Sequence, residues 1–168
     1  LNDSKQVKPE LRSELAEEIK HRCCGWGIGS ATVAEIDRLN IYWASVLAME
    51  RALASLAMLP EYLITDAVRI TSFPGPQEPL IKGDARSAIV AAASIVAKVH
   101  RDQLLRDLHE IEPRYGFADH KGYATPGHLR ALKEHGPSAH HRSGWWRVRE
   151  AQLAFGFTLK EAEAAFGA

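Results

Sequence analysis

The hydrophobic positions of the chain fall first into a helical period. Leu11, Leu15, Ala16 and Ile19 share one face of a helix running from Pro9 to Arg22, with Pro9 in the first turn, where its missing N–H costs nothing. Cys23 to Ser30 alternates weakly around three glycines and predicts a strand, with Cys23 and Cys24 as its part-buried fillers. Thr32 can cap a short helix through Asn40, with Glu35 three positions on completing a capping box. Ile41 to Met58 is apolar on most sides and predicts a buried helix that Pro60 stops. Tyr62, Leu63 and Ile64 predict a short strand ending at Thr65 and Asp66. Ser72 to Pro79, with three prolines and a glycine, predicts a loop or edge turn. Leu80 and Ile81 predict a second short strand that runs into Lys82, Gly83 and Asp84.

A long helix is expected from about Ser87 to Ile111, its first half small and apolar enough to pack closely on a sheet. After Pro113 the chain is loop-rich until Pro126 opens a helix through Glu134. A further helix is expected over Arg147 to Ala154, and Thr158 caps a last short one. Strands alternating with helices indicate a three-layer α/β domain with a mostly helical later half.

Composition narrows the class. At 168 residues the chain can bury a real core, and its 46% hydrophobic and 25% charged residues are ordinary for a globular protein. No apolar run approaches the roughly 18 residues of a membrane span, no charged-then-apolar leader opens the chain, and adjacent cysteines cannot staple a long loop. A cytoplasmic setting without membrane contact is therefore expected. The formal net charge of zero argues against a uniformly basic nucleic-acid binder. Between Pro113 and Arg149, however, seven Lys or Arg residues stand against two acidic ones, together with five histidines. Such a basic stretch suits a polyanion partner, and equally a solvated surface whose charges pair elsewhere.

Two carboxylates carry the candidate chemistry. Asp66 and Asp84 each follow a strand, at the C-terminal ends where α/β proteins build their sites. Carboxylates brought together there repel unless a cation sits between them, and oxygen-only ligands without a nearby thiolate favour Mg²⁺ or Mn²⁺. An Asp at a strand end also serves as a turn former or helix cap. His120, His128, His140 and His141 match no common zinc-ligand spacing, and surface contacts or helix termini are expected for them.

Read with their neighbours, these residues resemble the type 2 ribonuclease H (ribonuclease HII) family. The resemblance rests on ordered blocks: Leu1 to Lys5, Asp37 to Asn40, Leu63 to Asp66 and Lys82 to Ser87. It continues through Ala91 to Asp102, Tyr115 to Phe117, His120 to Thr125 and His141–Arg142, reaching about Glu150. The resemblance implies a ribonuclease H-like fold, a mixed sheet flanked by helices, with residues 1–150 as the catalytic domain and 151–168 as a helical extension. It implies an endonuclease that cuts the RNA strand of RNA–DNA hybrids and the 5′ side of ribonucleotides embedded in duplex DNA. Two divalent ions about 4 Å apart, Mg²⁺ or Mn²⁺, would be held by carboxylates, of which Asp66 and Asp84 are two of four. The family's other two belong to an Asp–Glu–Ala–Gly–Arg–Gly motif upstream of the block that opens here at Asn2, and no such motif occurs in the sequence.

By the same resemblance Ser4 and Lys5 lie near the substrate phosphate, Lys82 is a phosphate contact or salt-bridge partner, and Tyr123 stacks on the sugar at the RNA–DNA junction. Asp102, five helical turns past Asp84, is expected to support the site or the framework with Arg101 or Arg106 as partner. Ala67 replaces the family's usual glycine, and Trp145 or Trp146 stands for its usual aromatic after the His–Arg pair. The expected protein is a monomer acting on hybrids and ribonucleotide-containing duplex DNA. The alternative is a non-catalytic nucleic-acid-binding fragment, since two ligands in place of four would hold metal weakly.

Overall fold

The computed structural model describes residues 7–154, so Ser4, Lys5 and the helix expected at Thr158 lie outside the described residues. Two compact units are formed. One gathers the chain up to Ser30 with Ser45–Arg101, and the other gathers Ala31–Ala44 with the chain from Asp102 onward.

In the first unit, helix α1 spans Pro9–Arg22 as the periodicity predicts. Its buried stripe is rotated from the expected one. Ala16 is fully buried with Leu15 and Ile19 beside it, but Leu11 is half exposed and Arg12 is buried in its place. The Arg12 guanidinium donates to the Val7 carbonyl at 2.6 Å, so its aliphatic stem covers the helix start while its charge is satisfied. Ala16 packs against Ile95 and Val96, and Ile28 and Val99 close the cluster. Each fully buried aliphatic side chain of this kind contributes roughly 1.5–3 kcal/mol.

The strand expected over residues 23–30 does not form: the segment has no ladder partner among the described residues, and Cys23 and Cys24 are exposed. The reason is its glycines. A methyl group at Gly29 would overlap the Ala48 carbonyl oxygen and the Ala52 amide, and one at Gly27 would meet Ser55 and Ala52. The backbone lies flat on helix α2, Val33–Ala54, and Arg51 anchors it by donating to the Ser30 carbonyl at 2.8 Å.

Helix α2 starts at the expected capping box: the Thr32 amide donates to Glu35 Oε2 at 2.8 Å and the Glu35 amide to Thr32 Oγ1 at 3.2 Å. It breaks at Asn40 (φ 68°, ψ 168°), whose Oδ1 accepts from the amides of Tyr42 and Trp43 and caps a second helical run. That run is not buried all round. Ile41, Tyr42 and Trp43 are exposed, as is Met58 beyond the helix, and only the face carrying Ala44 and Val46 is covered.

Strands β1, Leu63–Asp66, and β2, Gln77–Leu80, pair in parallel with Asp66 opposite Leu80. Strand β2 begins earlier than expected and contains Pro79, while Ile81 is exposed. The Leu63 amide bonds to the Pro76 carbonyl and the Ala67 amide to that of Leu80, so the even-numbered residues of β2 face β1. The nitrogen of Pro79 points away from the partner strand, where no donor is required. The Gln77 amide group accepts from the Ile70 N–H at 2.8 Å and donates to its carbonyl at 2.9 Å, satisfying the backbone of a fully buried residue. Ile70, Val46 and Phe73 form the second cluster of this unit.

A short helix α3, Gly83–Arg86, follows β2, and Ser87 in extended conformation separates it from α4, Ala88–Ile111. The second unit contains the later part of α4, a 3₁₀ turn over Pro113–Tyr115, and helices α5 (Phe117–His120), α6 (Pro126–His135) and α7 (Trp146–Ala154). Tyr115, Phe117 and Ala131 pack with Leu105 and Leu108, and Leu132, Val148 and Ala151 with Trp145. Asp37 closes the loop before α7: its two oxygens accept from the amides of Ser143 at 2.9 Å and Gly144 at 3.1 Å.

One residue at the end of β1 is strained. Ala67 sits at φ 58°, a left-handed conformation that costs an L-residue about 1–2 kcal/mol, part of which glycine returns in chain entropy. Ala67→Gly is therefore expected to stabilise the protein by about 1 kcal/mol, read as a higher urea midpoint with an unchanged slope.

Candidate active site

The end of β1 is built as a tight turn. The Thr65 hydroxyl donates to the Val68 carbonyl, Ala67 turns left-handed, and Asp66 is left exposed at the strand's C-terminal edge. The end of β2 turns in the same sense at Lys82 (φ 57°), which delivers Gly83 to the end of β1. A side chain at Gly83 would come within 3.2 Å of Asp66 Cα and the Thr65 carbonyl oxygen, so glycine permits the approach. The Gly83 amide then donates to Asp66 Oδ1 at 2.8 Å. A carboxylate of one strand end is thus bonded to the backbone directly preceding the carboxylate of the other, Asp84, which is half-buried in the first turn of α3.

Asp66 Oδ2 and the Asp84 carboxylate accept no hydrogen bond among the described residues, and Lys82 is exposed without an ion pair among them. The donor set is hard oxygen from two carboxylates on adjacent strand ends, which suits a divalent cation of the Mg²⁺ or Mn²⁺ kind. No group of three or more His, Cys, Asp or Glu able to hold a metal occurs among the described residues.

The remaining expected residues sit elsewhere. Asp102 is buried on α4. Of its two expected partners, Arg106 donates to Gln103 Oε1 at 2.7 Å. Trp145 is the packed member of the tryptophan pair, against Leu132, Val148 and His128, whereas Trp146 is exposed under the Arg147 guanidinium at 3.5 Å. Tyr123 is exposed on a turn after α5 in which Lys121 and Gly122 are both left-handed.

Beneath that turn lies a feature that sequence reasoning missed. His120, His128 and His141, expected at surface contacts or helix termini, are buried, with His120 ending α5 and His128 in the first turn of α6, and only His140 of the four is exposed. His120 and His128 stack at 4.1 Å between ring centroids, and His128 Nε2 lies 3.2 Å from His141 Nε2. Phe117 and Trp145 wall the group. A signal was present: His128, Ala131, Leu132 and His135 fall at i, i+3, i+4 and i+7 on α6, and the first three of these are buried. Histidine in such a stripe belongs to the core face.

Burial pushes the His128 pKa down, partly opposed by its bond to the Tyr123 carbonyl, and pushes His141 down to about 4, with His128 beside it adding to the effect. Both rings are depressed bases, so below about pH 6.5 the unfolded chain binds protons that the folded chain does not, down to about pH 4 for His141. Their contribution is complete above pH 6.5 and is lost as pH falls toward 4. His141 alone accounts for about 3 kcal/mol at the upper end. Urea unfolding at stepped pH is expected to show stability falling through that window, and to show a shallower fall in His141→Gln.

Comparison with known proteins agrees with this architecture. The family model described as Ribonuclease HII matches residues 1–148. A relative named Ribonuclease HII from Koribacter versatilis (strain Ellin345) is 45% identical over 164 residues, covering 96% of this chain and 64% of the relative. A second protein of that name, from Thiobacillus denitrificans (strain ATCC 25259 / T1), is 47% identical over 149 residues, covering 89% of this chain and 73% of the relative. The chain thus spans about two-thirds to three-quarters of the length of these relatives. The crystal structure of the ribonuclease H2 from Pyrococcus horikoshii OT3 shares the fold at a TM-score of 0.76 and 22% identity, over 93% of this chain and 82% of that one. By the span of the family match and the identity to these relatives, the chain belongs to the ribonuclease HII family.

Proposed function

We propose that the protein is an endonuclease that hydrolyses the RNA strand of RNA–DNA hybrids and cuts on the 5′ side of ribonucleotides embedded in duplex DNA. The observation that carries this reading is the bond from the Gly83 amide to Asp66, which couples the two strand ends bearing Asp66 and Asp84. Family membership supports an enzyme over a non-catalytic binding fragment.

Asp66 and Asp84 would hold Mg²⁺ or Mn²⁺, which when bound supplies Lewis acidity toward the scissile phosphate. The chain's own residues divide the remaining work. The Gly83 amide fixes one Asp66 oxygen and leaves the other directed outward, so the carboxylate is oriented before any ion arrives. Lys82, exposed beside Asp84, offers a mobile positive charge to a substrate phosphate. The exposed ring of Tyr123 supplies a flat face for a sugar or base, a form of recognition that reads ribose in an otherwise DNA-like strand. Ser4 and Lys5 would contact the phosphate from the N-terminal side, and Asp102 would buttress the framework. Residues 1–150 would carry the activity as a monomer, with 151–168 appended. Among the described residues no helix is long and apolar enough to cross a membrane; a cytoplasmic role in DNA replication and repair accords with the proposed substrate.

The test is cleavage of a DNA duplex containing one ribonucleotide by the protein, with Mg²⁺ or Mn²⁺. Cutting is expected 5′ to the ribonucleotide, leaving a 3′-hydroxyl and a 5′-phosphate. Asp66→Asn and Asp84→Asn are each expected to slow it by at least about 100-fold, since a lost ligand removes several kcal/mol of charge stabilisation. Unchanged rates in both variants would remove these residues from the mechanism.

A further inference from the structure

We propose that His120, His128 and His141 form a clamp with a single proton arrangement, in which His128 and His120 are positioning residues for Tyr123. The proposal deepens the functional reading above, on which it rests only for what Tyr123 recognises.

A neutral imidazole has one donor and one acceptor, and the partner of each nitrogen decides which is which. His120 Nε2 lies 2.7 Å from the Tyr115 carbonyl, so it carries the proton, and Nδ1 is free to accept from the Gly122 amide at 3.0 Å. His128 Nδ1 lies 2.9 Å from the Tyr123 carbonyl and must donate, which leaves Nε2 bare. His141 Nδ1 accepts from the Ser138 amide at 3.1 Å, so its proton is on Nε2 and points at the bare Nε2 of His128, 3.2 Å away. Three protons serve six nitrogens, each with a partner. Reversing any one ring sets a donor against a donor or a lone pair against a carbonyl. The group is therefore complete as three neutral rings and leaves no lone pair for a metal.

What the clamp grips is the turn that carries Tyr123. His120 holds the Gly122 amide through its ring, and its own carbonyl accepts from the Tyr123 amide at 2.9 Å. His128 and the Thr125 amide share the Tyr123 carbonyl, the latter at 2.8 Å. Lys121 at φ 48° occupies a conformation that a non-glycine residue keeps only where its surroundings hold it, and Gly122 at φ 78° continues the turn without strain. The stacked rings, with Phe117 and Trp145 around them, supply a rigid floor. Above it Tyr123 stays 55% exposed, a large aromatic residue on a backbone bonded from both sides. That combination suits a residue whose ring meets a flat partner and whose position matters.

The experiment has two parts on the full chain. Ring-nitrogen NMR of the unaltered protein at neutral pH should find His128 protonated on Nδ1 and His120 and His141 on Nε2; a charged ring or the opposite tautomer at His128 overturns the clamp. Fluorescence anisotropy then compares binding to a labelled duplex with one ribonucleotide and to the same duplex made only of DNA. Tyr123→Ala should abolish any preference for the ribonucleotide. His128→Ala should reduce it by roughly tenfold, the scale of one lost buried hydrogen bond, with all-DNA binding little changed. His128→Asn, which can still donate to the Tyr123 carbonyl, should restore most of it. In the Tyr123→Ala background, His128→Ala should cost nothing further. A preference that survives His128→Ala, or an equal loss in both backgrounds, contradicts positioning through Tyr123. If the unaltered protein shows no preference, the reading of Tyr123 as a ribose sensor fails, and the ring-nitrogen result still decides the clamp.

Discussion

The hydrogen bond from the Gly83 amide to the Asp66 carboxylate is the contact on which the site depends. It joins two strand ends that the parallel ladder has already aligned, with Asp66 opposite Leu80. Everything nearby serves that approach. Left-handed residues at Ala67 and Lys82 end the two strands in matching turns, and glycine at 83 removes the side chain that would block contact. Carboxylates on adjacent strand ends repel when brought together, and backbone N–H groups and a cation are the means by which proteins offset that repulsion. Asp66 meets one oxygen's need through the Gly83 amide, and the Asp84 carboxylate accepts no hydrogen bond among the described residues, which leaves oxygens that the proposed ion would take.

The second unit shows the same economy with neutral groups. A buried histidine is expensive when charged and inexpensive when both nitrogens are matched, and the trio beneath Tyr123 meets that condition by donating in one direction only. The basic stretch in which these residues lie therefore contributes less positive surface than its histidine content suggests. Its charge comes from Lys and Arg.

Much of the framework was legible because local rules governed it. The bounds of α1, the Thr32–Glu35 capping box, β1 and the long α4 follow from periodicity, caps and proline placement. The positions of Asp66 at the end of β1 and Asp84 just past β2 were legible from the short apolar runs before them. Failures occurred where tertiary contact decided. Cys23 to Ser30 alternates like a strand, but its glycines rest on a helix that no local pattern reveals. Pro79 reads as a loop until the free side of β2 is known. Arg12 displaces Leu11 from the buried face because a carbonyl at Val7 is within its reach. The histidines were weighed by ligand spacing and assigned to surface contacts or helix termini, when the stripe that His128 shares with Ala131 and Leu132 places it in the core.

The central claim is that Asp66 and Asp84 together form the seat of a divalent ion. Titrating Mn²⁺ into ¹⁵N-labelled protein tests it without reference to turnover, because the ion broadens amide signals close to where it binds. Loss of signal should begin at Asp66, Ala67, Gly83 and Asp84 and should disappear in the Asp66→Asn, Asp84→Asn double variant. Broadening that starts elsewhere, or that survives in the double variant, would contradict the account.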